Sequence, residues 1–340
     1  MHRNPSPNSR PAAVTLIIVN YNGKGCIEQC LEGVRQQVFQ NFECVVVDNG
    51  SSDGSAEWIE THHPEIQLIR LPENAGFCRA NNIALQQSRS EFVGLLNNDA
   101  LADPFWLSRL VAALRMHPEA GSAASKMLYS DAPHIIDRAG DGYTRSGAGS
   151  LRGRGARSDA YNQKAWIFGA CAGAAVYRKA MLDTIGLFDE DFFLLYEDVD
   201  LSFRAQLEGF RCIYVPDARV YHLASRTLGY DSPVSIYYGH RNLEWVYLKN
   251  MPGPLLLMTL PAHLFYILLS GAFFVSKGKG GPFFKAKADA LKKVHRTLQK
   301  RKKIQNQKTV SNASIWRLLD KETYFERLVH RLKKKDEKTP

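Results

Sequence analysis

The chain has 340 residues, of which 45% are hydrophobic and 23% are charged, the composition of an average soluble protein. The net charge of +10 is uneven, because residues 277–340 hold 20 basic and 6 acidic side chains while residues 1–276 hold 24 and 28. The basic end predicts an anionic partner, either a membrane surface or a nucleic acid. Residues 1–11 are polar, lack the apolar core of a secretory signal and are expected to be disordered.

Apolar runs alternate with helical patterns over the first hundred residues. The strand patterns, three of them with the polar residues that follow, are AAVTLIIVNYNG (12–23), FECVVVDNGSSDGS (42–55), IQLIRL (66–71) and SEFVGLLNNDA (90–100), and the helical patterns cover 25–37, 55–63 and 75–88. Continuous β-branched runs are typical of strands that are buried on both faces. The alternation therefore predicts an α/β fold with a doubly wound, mostly parallel sheet.

Three of these strands end in polar residues. The ends read Asn20-Tyr21-Asn22, Asp48-Asn49 and Asn97-Asn98-Asp99. Ligands bind beyond the carboxyl ends of the strands in such sheets, so these residues predict a ligand site. The alternative is that they only form turns, since Asn and Asp tolerate tight turns. As a carboxylate at a strand end, Asp99 could hold Mg²⁺ or Mn²⁺.

The loop after the first strand argues against two nucleotide-binding classes. Glu28 stands where a dinucleotide fingerprint has glycine, and the chain has no GxxxxGK[ST] pattern. A nicotinamide enzyme and a P-loop ATPase are therefore disfavoured.

The middle of the chain changes in composition. Residues 130–165 are rich in Gly, Arg, Ser and Asp, which predicts a long mobile loop whose arginines either meet an anionic substrate or lie on a solvated linker. Small residues around Gly169 would let a ligand or a backbone approach closely. Residues 199–209 predict a helix that ends at Gly209, and residues 210–222 predict a strand with its extension.

An ordered set of segments resembles the inverting glycosyltransferase family 2, of the GT-A fold. The segments are VTLIIVNYNG, VVVDNGSSDGS, ENAGFCRANN, LLNNDA, GLFDEDFFLLYEDVDLSFRAQLEGF and ARVYH. The resemblance covers roughly residues 12–250 and is nearest to the bacterial rhamnosyltransferase-like branch. Each segment alone is a weak signal, whereas the ordered set is highly specific.

The resemblance implies a role for each matching residue. Donor binding would fall to Asn20, Tyr21, Asp48, Asn74, Gly76 and Arg79, metal binding to Asp99 and His222, and catalysis to Asp198 with Glu197. By their places in the sequence, Asn97 and Asn98 are further candidates for donor binding, and Gly169, Arg241 and Asn242 are candidates for acceptor binding; the resemblance extends to residues 237–252 in a looser form. Asp48 would recognise the donor base, and Asp99 would be the last acid of the DxD motif. Asn97 stands where the fullest motif has Asp, which weakens the expected metal site by one charge.

The acids of the ED segment would emerge at the start of a helix. A helix N-terminus stabilises negative charge, so an ionised Asp198 could take the proton of an acceptor hydroxyl. The alternative is that these acids only cap the helix, which we favour for Asp200 but not for Asp198. His222 could be a hydrogen-bonded structural residue, and Arg241 could form a salt bridge on a surface helix.

Residues 250–276 contain no Asp, Glu, Lys or Arg and are long enough to cross a bilayer. Pro261, His263 and the basic block 277–303 argue against a simple span. We expect a re-entrant or interfacial hairpin, with the basic block on anionic lipid; a true span and a buried helix pair are the alternatives. Nucleic-acid binding is disfavoured because the tail lacks interleaved aromatic residues.

Four regions are predicted: a disordered N-terminus (1–11), a GT-A domain (12–235), membrane-associated helices (236–303) and a basic tail (304–340). The expected function is transfer of a sugar, rhamnose being one candidate, from a nucleotide-diphosphate donor to a lipid-linked or glycan acceptor of surface-polysaccharide synthesis. The expected location is the cytoplasmic face of the inner membrane, peripheral or monotopic. A non-catalytic nucleotide-sugar or lipid-binding protein and a sugar nucleotidyltransferase are the alternatives.

Overall fold

The computed structural model describes residues 11–223 and 231–321. The strands are β1 (Val14–Asn20), β2 (Phe42–Asp48), β3 (Gln67–Arg70), β4 (Phe92–Leu96), β5 (Ala100–Ala102), β6 (Ala120–Tyr129), β7 (Ile136–Arg138), β8 (Asp141–Tyr143), β9 (Gly149–Leu151), β10 (Ala165–Ile167), β11 (Ala174–Arg178) and β12 (Arg211–His222). The helices are α1 (Ile27–Arg35), α2 (Ser55–His62), α3 (Phe77–Gln87), α4 (Trp106–Met116), α5 (Lys179–Ile185), α6 (Glu197–Glu208), α7 (Pro233–Asn250), α8 (Gly253–Ser276), α9 (Gly280–Lys292), α10 (Val294–Gln307) and α11 (Asn312–Leu318).

A mixed, mostly parallel sheet forms the centre of the fold, as the sequence predicts. Its strand order is β10-β12-β6-β11-β4-β1-β2-β3. Strand β1 pairs in parallel with both β2 and β4, and β2 pairs in parallel with β3. Strand β11 is antiparallel to its neighbours β4 and β6. The parallel block brings the carboxyl ends of β1, β2 and β4 to one edge of the sheet.

Helices cover both faces of the sheet, so the central strand β1 is buried on both sides. Leu16 and Ile18 lie in the core layer that also contains residues of α1 and α4. Ile17, between them, lies in the opposite layer with residues of α3 and α6. Because successive side chains of a strand point to opposite faces, a strand buried on both faces needs apolar residues at every position.

The region 130–165, predicted as a long loop, contains three short strands. Strand β7 pairs with β6, and β8 pairs with β9 in a separate two-stranded sheet. Its arginines find partners inside the protein: Arg154 pairs with the buried Asp137, and Arg152 lies over the rings of Tyr161 and Tyr214. Composition alone suggests a loop because it does not reveal these partners.

The C-terminal helices pack against the sheet domain and do not form a separate unit. Helix α8 is continuous through Pro261, so the chain does not turn back inside it. Within the described residues, α8 alone is long and apolar enough to cross a membrane, judged by length and composition. His263 in its middle is buried and bonds to the Ser146 carbonyl at 2.8 Å and to Glu244 at 3.0 Å.

Two predicted boundaries fall inside elements of the structure. Helix α7 begins at Pro233, slightly before the predicted start of the C-terminal region. Part of the predicted basic tail completes α10 and forms α11. After α11, the backbone of Asp320 forms a single β-bridge with that of Thr144. Residues 1–10 of the predicted disordered N-terminus and residues 322–340 of the predicted tail lie outside the described residues.

Candidate active site

The polar ends of β1, β2 and β4 meet in one hydrogen-bond network. The buried amide of Asn20 donates to Asp48 Oδ1 at 3.0 Å and to Ser55 Oγ at 2.8 Å. In turn, Asn98 donates to Asn20 Oδ1 at 3.0 Å. Asp48 also accepts the backbone N–H of Ser51 at 3.1 Å. These residues do more than form local turns, because they link three different strands.

The predicted donor segment joins the same edge through Asn74. Its Oδ1 accepts a hydrogen bond from Asn49 at 3.0 Å and from the backbone N–H of Gly76 at 2.9 Å. Tyr21, Asn74 and Arg79 are exposed, whereas Asn20 and Asp48 are buried. The predicted donor residues therefore comprise a hydrogen-bonded network with a buried centre and three exposed side chains.

Asp99 lies beside His222 at the end of β12. The Nε2 atom of His222 is 3.2 Å from Asp99 Oδ1, and its Nδ1 bonds to Asp137 Oδ2 at 3.0 Å. Burial alone would lower the pKa of His222, but the hydrogen bond to Asp137 and the nearby Asp99 raise it to about 9. Asp137 is also paired with Arg154, which completes a row of alternating charges.

Asp198 lies in the first turn of α6, where the backbone N–H of Val199 donates to its Oδ1 at 2.8 Å. Its Oδ2 is 3.7 Å from Nη1 of Arg138. The same nitrogen donates to Asp141 Oδ1 at 3.2 Å and to Cys171 Sγ at 3.0 Å. Arg138 is therefore the counter-ion shared by two buried acids.

Two acids beside Asp198 are held towards their neutral forms. Burial, reinforced by the adjacent Asp198, raises the pKa of Glu197 well above its usual range. Burial also raises the pKa of Asp141, although Arg138 acts in the opposite sense. A pocket with one guanidinium favours one carboxylate among three acids, since like charges in a buried site oppose ionisation.

Strand β7 connects the two halves of the site. Its neighbouring residues Asp137 and Arg138 contact His222 and Asp198, respectively. A second connection runs through Gly173, whose carbonyl accepts the N–H of Asn97 at 2.9 Å, to Cys171 and Arg138. Residues far apart in the chain thus form one continuous set of contacts, from the strand ends to the first turn of α6.

The turn that precedes α6 has an uncommon backbone conformation. Phe193, Leu195 and Tyr196 have φ values of 65°, 65° and 71°, in the left-handed region that side chains of this size disfavour. Each such residue costs about 1–3 kcal/mol and persists only where the surroundings determine the conformation. The turn directly before Glu197 and Asp198 is therefore held by other parts of the protein.

The model of glycosyl transferase family 2 matches residues 15–186, just over half of the chain. The chain belongs to this family. The match ends before Glu197 and Asp198, so it covers the strand ends but not the first turn of α6.

Curated relatives and a solved structure agree with this membership. An uncharacterised protein of Sinorhizobium fredii is 27% identical over 237 residues; the match covers 64% of this chain and only 25% of that protein. The N-acetylglucosaminyl-diphospho-decaprenol L-rhamnosyltransferase of Mycobacterium tuberculosis is 25% identical, with 69% of this chain and 83% of the relative covered. A mannosyltransferase of Pyrobaculum calidifontis, solved with GDP-Man and Mn²⁺, is 21% identical with a TM-score of 0.53; 89% and 87% of the two chains are covered. That likeness shows a shared GT-A fold.

Two groups of side chains in this family 2 chain could be considered as metal sites, and the first fits a metal ion better than the second. Asp99 Oδ1 is buried, and Nε2 of His222 lies 3.2 Å from it. Asp137 on the other ring nitrogen fixes the imidazole as carboxylates do for histidines that bind metals. Asp141, Cys171 and Asp198 also lie close enough to share an ion, but the guanidinium of Arg138 already supplies their positive charge.

The three predicted acceptor residues occupy structural positions. Gly169 pairs its backbone with that of Asp141, and a Cβ there would collide with Ser202 of α6. Arg241 and Asn242 are buried and donate to backbone carbonyls of residues 191–195. Direct contact with an acceptor is thus disfavoured for these side chains, because their polar atoms and surroundings are already engaged.

Sequence reasoning missed the residues that surround Asp198 and His222. Arg138, Asp141 and Asp137 all lie in the stretch taken for a loop, where charged residues are expected to be solvated. The signal that could have found them is the pattern IIDRAGDGY (135–143), which places charges between apolar residues. Asp200, by contrast, is structural as expected, although it pairs with Arg204 and Lys249 and does not cap the helix.

Proposed function

We propose that this protein transfers a sugar, with inversion, from a nucleotide-diphosphate donor to a hydroxyl of a lipid-linked or glycan acceptor. The observation that carries the proposal is the position of Asp198. This carboxylate is only 8% exposed, lies in the first turn of a helix, and is joined by contacts to the Asn20, Asp48 and Asp99 edge. A donor at that edge would present its anomeric carbon near a base.

The reaction is a single displacement. The acceptor oxygen forms a bond to the anomeric carbon while its proton passes to Asp198, and the bond to the diphosphate oxygen breaks with its electron pair. One displacement inverts the anomeric centre. The guanidinium of Arg138 and the N-terminus of α6 lie next to the carboxylate of Asp198, and both favour negative charge. A divalent ion, Mg²⁺ or Mn²⁺, would be held by Asp99 and His222 and would neutralise charge on the diphosphate.

The relatives support the choice of substrates. The mycobacterial relative is named for rhamnosyl transfer to a diphospho-decaprenol glycan, and the archaeal mannosyltransferase binds GDP-Man with Mn²⁺. We therefore infer a nucleotide-activated hexose or deoxyhexose as donor, rhamnose being the first candidate. A polyprenyl-diphosphate glycan of surface-polysaccharide synthesis is the first candidate acceptor.

An apolar face on α8 supports work at a membrane surface. Its buried stripe packs against the protein, and the opposite side exposes Leu257, Met258, Leu264, Phe265, Leu268 and Val275. The next helix, α9, also exposes Phe284, Lys285 and Lys292. Apolar side chains flanked by basic residues suit a helix that lies in the interface of an anionic leaflet. Because His263 fixes the middle of α8 to the protein, we propose a monotopic arrangement at the cytoplasmic face and not a span.

Replacing Leu264 and Leu268 by Glu should release the protein from membranes. Burying each leucine contributes about 1.5–3 kcal/mol, so we expect at least a tenfold weaker association. Co-sedimentation with vesicles of phosphatidylglycerol and phosphatidylethanolamine measures the change. Met116→Glu is the matched control, because Met116 is 66% exposed on α4, away from α8. Equal sedimentation of all three proteins would contradict the membrane face.

A donor panel tests the proposed function most directly. Full-length protein is incubated with Mn²⁺ and the dTDP, UDP and GDP forms of common sugars, and release of the nucleoside diphosphate is measured. We expect one donor class to be hydrolysed and to raise the melting temperature. Binding of a nucleotide sugar without turnover, even when a polyprenyl-diphosphate glycan is added, would favour the non-catalytic alternative.

A further inference from the structure

The strained turn before α6, residues 193–196, is enclosed between the donor segment and α7. On one side, a Cβ at Gly76 would be 2.5 Å from the ring of Phe193, and the Phe193 carbonyl accepts the N–H of Cys78. On the other side, the Phe193 ring stacks on Tyr238 of α7, with centroids 5.3 Å apart. The turn is therefore packed between the donor segment and α7.

One side chain of α7 lies against three carbonyls, two in the turn and one just before it. The Nδ2 atom of Asn242 lies 3.1 Å from the carbonyl oxygen of Phe192, 2.8 Å from that of Leu194 and 2.7 Å from that of Leu195. Asn242 is fully buried. Carbonyls that do not join a helical hydrogen-bond ladder need a donor from elsewhere, and Asn242 supplies one to Leu194 and Leu195.

Arg241 fixes the orientation of this amide. Its Nε donates to Asn242 Oδ1 at 2.9 Å, so that Nδ2 must face the turn. Its Nη2 donates to the carbonyls of Asp191 and Phe192, each at 2.9 Å. Together, the two side chains bind four backbone carbonyls that precede Glu197, those of residues 191, 192, 194 and 195.

The far end of α7 holds α6 as well. Lys249 lies 2.8 Å from Asp200 Oδ1, and Asn250 donates to the same oxygen at 2.7 Å. Helix α7 therefore fixes both the turn before Asp198 and the helical residue two positions after it. The position of the Asp198 carboxylate is determined by α7 from both sides.

We propose that Asn242, oriented by Arg241, is a positioning residue that holds the 193–196 turn and thereby aims Asp198 at the acceptor hydroxyl. The proposal rests on the proposed function, in which Asp198 is the base. It assigns these residues of α7 to alignment of the base, whereas their place before the apolar run predicted contact with the acceptor.

The test is Asn242→Asp in the full chain, which keeps the size of the side chain but replaces the amide donor by an oxygen that faces three carbonyls. We expect kcat to fall at least tenfold, while the Kd for the nucleoside diphosphate of the donor found in the panel changes less than twofold. Hydrogen exchange of the amides of 193–198 should become faster. Arg241→Lys, a milder change, should shift both kcat and exchange in the same direction.

Gln37→Glu is the matched control. Gln37 is also a buried amide, and its Nε2 donates to the carbonyls of Gly33 and Asp103, each at 2.9 Å, outside the turn and α7. Gln37→Glu should lower the melting temperature. It should leave hydrogen exchange at 193–198, kcat and the Kd for the nucleoside diphosphate unchanged. Unchanged exchange and kcat in Asn242→Asp, or equal effects in Gln37→Glu, would overturn the proposal. Because exchange is measured without turnover, it tests the turn even where Asp198 proves not to be the base.

Discussion

Asp198→Asn should lower the rate of sugar transfer by about 10²- to 10⁴-fold, the usual contribution of a general base. Asn has the size of Asp and can still accept the Val199 N–H, so the first turn of α6 should keep its shape. The amide cannot take a proton from the acceptor hydroxyl. Because the nucleotide would bind at the Asn20 and Asp48 edge, its affinity should change less than twofold.

The neighbouring acid provides the matched control. Glu197 is as buried as Asp198, but its carboxyl is held towards the neutral form and Arg138 pairs with Asp198. Glu197→Gln should therefore retain far more activity than Asp198→Asn. Both variants are assayed by release of nucleoside diphosphate in the presence of acceptor, and their binding by calorimetry. Near-normal turnover of Asp198→Asn would remove it as the base, and a larger loss in Glu197→Gln would transfer that role to Glu197.

The sheet and its polar edge could be predicted because they depend on local patterns. A strand that is buried on both faces requires a run of consecutive apolar residues, and β1, β2 and β4 each contain one. Parallel pairing then brings their carboxyl ends together, so the meeting of Asn20, Asp48 and Asn98 follows from the order of the elements. Neither inference needs knowledge of a distant contact.

The surroundings of Asp198 could not be predicted, because they depend on pairs far apart in the chain. Arg138 meets Asp198 across 60 positions of sequence, and nothing in the local composition distinguishes it from a solvated loop arginine. Asn242 is a similar case, since the carbonyls that it binds belong to a turn whose left-handed backbone is formed by bulky residues. Sequence patterns indicate which residues are buried more readily than they indicate polar partners.

Asp99→Ala should remove most of the metal-dependent part of nucleotide binding. Asp99 Oδ1 and His222 Nε2 are the two donor atoms that turn towards each other at the end of β12, and an alanine leaves only the imidazole. Even partners outside the first ligand shell typically alter metal affinity by about 10- to 100-fold, so loss of a ligand should do at least as much. Calorimetric titration of UDP, GDP and dTDP, with Mn²⁺ or with EDTA, measures the difference.

Two further variants make this test specific. Asp131→Ala removes an exposed acid of the same charge and should leave the effect of Mn²⁺ unchanged. Asn97→Asp adds a second acid to the Asn-Asn-Asp end of β4, two positions before Asp99, and should tighten Mn²⁺-dependent binding, because more negative charge favours a divalent cation. Equal nucleotide affinity with Mn²⁺ and with EDTA in the unmodified protein would contradict a metal role for Asp99. A metal effect that survives in Asp99→Ala would place the ion elsewhere, and Asp141, Cys171 and Asp198 form a group within the described residues that could receive it.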